Sequence, residues 1–79
     1  MTRSEKIEFC IEEIKNIDDD IISAIKARSS FICALNKLIP GGYHIDHEAI
    51  LRRAKEAFQT PEMAEAIWPI IFKYTEPNI

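Results

Sequence analysis

The stretch DDDIISAIKARSSFICAL, residues 18 to 35, decides how this chain folds. Its apolar residues recur every three or four positions, the spacing of one face of a helix. Extended in both directions, a seven-residue repeat collects Ile7, Ile14, Ile21, Arg28 and Leu35 in one column, with Ile11, Asp18, Ile25, Ile32 and Ile39 in the adjoining one. Two adjoining columns at that spacing make the seam along which long helices pack against each other. One arginine stands in the otherwise apolar first column. Its neighbours at offsets of three and four are Ala24, Ile25, Phe31 and Ile32, so no acid on its own helix can pair with it. Either its stem packs while the guanidinium snorkels to water, or the counter-charge comes from elsewhere in the fold or from a ligand. Glu48 is the internal candidate.

No Gly or Pro interrupts the chain from Ser4 to Ile39, and PGG at 40 to 42 supplies the stop. With Ser4 as the expected N-cap, this is a rod of roughly 50 Å, far longer than a lone domain of this size is wide, so it needs partners along its length. A second helix is expected from the cap Asp46 to about Phe58, with Glu48 in its positive first turn and Ile50, Leu51, Ala54, Ala57 and Phe58 as its apolar stripe. Thr60 and Pro61 open a third, reaching about Tyr74 with a kink expected near Pro69. The tail TEPNI is expected to fray. The fold class is therefore all-α, three helices in a single domain spanning residues 1–79, with no strand pattern and no internal repeat.

Composition narrows the partners. A chain of 79 residues with 47% hydrophobic and 29% charged residues is a globular composition with room for one small core, and domains near this size gain stability by oligomerising. The net charge of −3 argues against a nucleic-acid surface or an anionic membrane surface. No apolar run approaches the roughly 18 residues that span a bilayer, and MTRSEKIEFC lacks the apolar core of a signal peptide. A cytoplasmic protein with no membrane segment is expected. Cys10 and Cys33 lie on one helix, too far apart to pair within it, and are read as reduced, buried thiols.

A long helix carrying IDDDIISAIKARSSF, a glycine-containing loop, a short helix opening IDHEAIL and a third ending IWPIIFKYT together resemble the all-helical chorismate mutases over nearly the whole chain. The resemblance implies an intertwined homodimer in which the long first helices cross and each active site draws on both subunits. It also implies a chemistry: pericyclic rearrangement of the dianion chorismate to prephenate, a step of the shikimate pathway and aromatic amino acid biosynthesis, with no metal or cofactor. Such an isomerase holds two carboxylates in a reactive conformation and stabilises charge on the breaking ether oxygen, tasks suited to arginine forks and a lysine.

Carried over by position, Arg28 stands at the family's central substrate-gripping arginine. The arginine that reaches into the partner's site is replaced by Ile11, and the lysine of the ether oxygen by Ile39. An Arg-Glu pair at the start of the second helix reads His47-Glu48. Thr75 stands for a serine or threonine, and Ile79 for a glutamine one turn later. Catalytic roles therefore fall to Arg28 and Glu48, the latter orienting the substrate hydroxyl, and substrate binding to Arg28, His47, Glu48, Arg52 and Thr75. Because Ile11 and Ile39 belong to the inward columns, the pocket is short of cations and mutase activity is expected to be weak, altered or lost. Lys37, turned about 200° from Ile39, Arg52 and Arg53 are the cations that could substitute. Two alternatives stay open: a non-catalytic helical dimer that binds a partner protein or a less charged ligand, and an isochorismate pyruvate lyase, which needs much the same cations.

The remaining constellations read as structure. HIDHE at 44 to 48 has metal-capable residues but no fixed third ligand, so surface histidines around a helix cap explain it better. In the acidic run Asp18 to Asp20, Lys15 is the expected partner of Asp19. Trp68, Phe72 and Tyr74 are read as core, and neither cysteine has an activating neighbour.

Overall fold

The computed structural model describes residues 1–76, which form three helices and no strand. Helix α1 runs Arg3–Leu38, α2 His47–Ala57 and α3 Pro61–Thr75. The cap of α1 lies two residues earlier than Ser4: the Thr2 side chain accepts from the Glu5 backbone N–H while the Glu5 carboxylate accepts from Thr2 N–H, each at 3.2 Å. Two orphan donors are thereby satisfied reciprocally, which Ser4, with no acid three residues on, could not do. At the other end Ile39 caps in an extended conformation, and Gly41 and Gly42 turn the chain with φ of 85° and 84°, a region closed to most side chains.

The loop folds back on α1, where Tyr43 N–H donates to Asn36 Oδ1 at 3.1 Å. Asp46 then caps α2 by accepting from Ala49 N–H. Thr60 occupies the N-cap of α3 with Pro61 at the first turn, but its side chain makes no capping bond. Pro69 lies within α3 without ending it, and the helix continues to Thr75.

Helix α3 is the central element, packing against both α2 and the last third of α1, while α1 and α2 do not pack on each other. Ala54 of α2 and Ala64 of α3 are buried, small side chains that suit a close approach of two helices, and Lys55 reaches Glu65 across them at 2.8 Å. On α1 only Ile32 is buried, with Arg28, Ser29, Leu35 and Asn36 partly covered around it. The Trp68 indole N–H is buried without a hydrogen-bond partner among the described residues.

Everything on α1 before Arg28 stands clear of the other helices, and the molecule measures 57 × 25 × 15 Å. Ile7, Ile11, Ile14, Ile17, Ile21 and Ile25 are consequently exposed in the single chain. So are Cys10 and Cys33, which are free thiols but not buried ones: Cys10 lies on the part of α1 that no other helix covers, and Cys33, next to the buried Ile32, is on the face of α1 away from α3. Tyr74 is exposed and outside the core, whereas Trp68 and Phe72 are partly buried. Lys15 lies 4.0 Å from Glu12 instead of pairing with Asp19.

Candidate functional site

The site forms where the last third of α1 meets the end of α3 and the start of α2. Arg28 enters from the apolar column of α1, three quarters sheltered, with its guanidinium carbon 5.3 Å from the centre of the Phe72 ring. The Phe72 ring also stacks on His47, centroids 4.2 Å apart and planes at 27°. Arg28 Nη1 donates to Thr75 Oγ1 and to Glu76 Oε2, the latter at 2.9 Å. The Thr75 hydroxyl donates in turn to the Ile71 carbonyl at 2.6 Å, so its oxygen is oriented as an acceptor for the guanidinium. Thr75 is 2% exposed, the one buried polar residue among the described residues.

The counter-charge to Arg28 is therefore Glu76 and not Glu48. The Glu76 carboxylate uses both oxygens: Oε2 on Arg28 and Oε1 on His47 Nε2 at 2.6 Å. Geometry on α2 explains the exchange. Successive helix residues point about 100° apart, so with His47 turned onto Phe72, Glu48 faces elsewhere, along a shallow depression shared with Leu51, Arg52 and Lys55. Arg28 and Thr75 are thus brought together and His47 joins them through Glu76, while Glu48 and Arg52 line separate ground.

The cationic substitutes stay outside. Helix α1 is regular to Leu38, which keeps Lys37 on the exposed face, and Arg53 is exposed on α2. Ile11 is 50% and Ile39 36% exposed in the single chain. Ile79 lies outside the described residues. Beside the Arg28 cluster opens a cleft of about 300 Å³ lined by Ile32, Asn36, Tyr43, His44, Ile45, His47 and Glu76. Its walls combine apolar surface with hydrogen-bonding groups from the loop, and Glu76 stands between it and Arg28. Among the described residues no three His, Cys, Asp or Glu side chains converge as a metal site would require.

Glu76 was the residue that sequence reasoning missed, because it fell in a tail expected to fray. Two signals pointed to it: it follows Thr75 directly, and it is the sole acid after Glu65. The arrangement can hold an anion chemically, since a sheltered guanidinium and an imidazole converge on one carboxylate while the Thr75 hydroxyl fixes the guanidinium. Comparison with known proteins finds no matching family model, no matching curated protein and no matching solved structure.

Proposed function

We propose that this protein is a chorismate-mutase-like helical homodimer whose ligand seat is Arg28. The observation that carries the reading is the meeting of Arg28 and Thr75. The resemblance gave those two residues, 47 positions apart, to one site, and they share a hydrogen bond. Arg28 would hold a carboxylate of a chorismate-like dianion, with His47 beside it and Glu48 and Arg52 contributing where a second copy completes the pocket. If the protein turns over, the reaction is chorismate to prephenate: the bound dianion is held in its reactive conformation, and Glu48 orients the hydroxyl.

The second copy is argued from α1. Its apolar seam is covered by α3 from about Arg28 onward and bare from Ile7 to Ile25. A stripe of that length exceeds the scattered apolar residues normal on a monomer surface, and a seven-residue repeat is suited to another helix of the same kind. No described helix is long and apolar enough to cross a membrane, and the seven-residue repeat favours a protein helix as the cover. A cytoplasmic setting is part of the same proposal.

Catalysis in such a site is weak. Removing one transition-state donor costs about 10²- to 10³-fold in rate, and Ile11 and Ile39 stand where the resemblance implies an arginine and a lysine. Chorismate turnover is expected at least about a thousandfold below the 1 to 10³ per second of efficient enzymes. The assay follows chorismate loss with prephenate or salicylate appearance. Turnover of tens per second abolished by Arg28→Ala would mean that Lys37, Arg52 or Arg53 reaches the pocket after all. A non-catalytic binding dimer is the second reading, and one observation favours it: Glu76 already neutralises Arg28.

A further inference from the structure

We propose that Glu76 is a built-in carboxylate that occupies the anion seat of Arg28 and His47, and that an anionic ligand binds by displacing it. The inference rests on the reading of Arg28 as a carboxylate seat and adds the device that controls it.

Three features of Glu76 set it apart from a structural ion pair. First, its contacts are those a ligand carboxylate would make, one oxygen on a guanidinium at 2.9 Å and the other on an imidazole at 2.6 Å, with the side chain 16% exposed. Second, it is the C-cap of α3 in extended conformation, one residue past Thr75, which remains anchored to Ile71. Its side chain can swing out without breaking a helical turn. Third, it sits at the carbonyl end of α3, where the helix dipole opposes a negative charge, so the Arg28 guanidinium and the hydrogen bond to His47 hold it against that field. The exit is present: Glu76 lines the cleft that opens toward Tyr43 and His44.

The seat it fills is not exhausted. Both contacts of Arg28 use Nη1, and the Nη2 and Nε donors have no partner among the described residues. An arriving carboxylate can engage that free edge first and complete a two-pronged grip once Glu76 leaves. While Glu76 is in place the seat is electrically neutral, and a dianion gains little from it. Glu76 is thus a specificity-determining residue that raises the concentration at which anions bind.

The test is calorimetric titration with chorismate of the wild type, Arg28→Ala, Glu76→Gln, Glu76→Ala and the double variant Arg28→Ala with Glu76→Gln. Freeing a charge-assisted contact should tighten binding about 10- to 100-fold in both Glu76 variants, and the gain should vanish in the double variant. Wild-type binding lost in Arg28→Ala, with no tightening in either Glu76 variant, overturns the displacement while sparing the seat. Binding indifferent to Arg28→Ala, or no binding in any variant, removes the seat and the displacement with it. Should a variant melt below the assay temperature, the unaltered protein gives the answer by NMR. The Glu76 carboxyl carbon and Arg28 Nε–H resonances should move together as chorismate saturates, and a stationary Glu76 signal overturns the proposal.

Discussion

Arg28 is where the sequence speaks most clearly, because a charge in an apolar column with no acid in helical reach must be answered from elsewhere. The answer comes from Thr75 and Glu76, about three quarters sheltered or better. Arg28→Ala should lower stability by about 1.5–3 kcal/mol, the range for a hydrogen bond to a charged group, measured by thermal or denaturant melting. A loss below a few tenths would mean that the guanidinium is solvated and the cluster is incidental. That Arg28 needed a partner was legible from spacing alone. Which partner was not, because Glu48 and Glu76 are both acids at helix ends, and only the turn of α2 that aims His47 at Phe72 decides between them.

Helices were legible because period, breakers and caps agree: an unbroken apolar repeat, PGG after it, Asp46 and Thr60-Pro61 at the later starts. Their ends were less so. Capping at Thr2 depends on a reciprocal pair whose Thr-x-x-Glu spacing is present in the sequence, so Ser4 was the weaker expectation. Thr2→Ala should cost the N-terminal turn of α1 about 0.5–2 kcal/mol, read as increased amide exchange over the first residues and unchanged exchange near Ile32. The backbone and hydroxyl bonds from Thr2 lower the Glu5 carboxyl below its usual value. A carboxyl depressed in the folded state contributes stability above its unfolded pKa and loses it as pH falls through the folded one. Acidification below the ordinary carboxylate range should therefore fray the same turn, and Glu5→Gln should remove that pH dependence. At the far end, Thr75 and Glu76 are held where a frayed tail was expected, since the Arg28 charge supplies what the local sequence lacks.

At the scale of the whole molecule, a helix of 36 residues projects well beyond the two short ones that could cover it. The proposed second copy would bury Ile11 and Ile39 near the site, which makes their apolar character a choice against charge. Introducing arginine at Ile11 and lysine at Ile39 should lower stability by about 1–3 kcal/mol per buried polar group, with chorismate restoring part of the loss. Unchanged melting without ligand would contradict their burial. The central claim, that the bare seam of α1 closes on another copy of itself, is tested most directly by sedimentation velocity at micromolar concentration. The account predicts one folded species of about twice the 9.1 kDa chain mass, and a stable, folded species of the single-chain mass would contradict it.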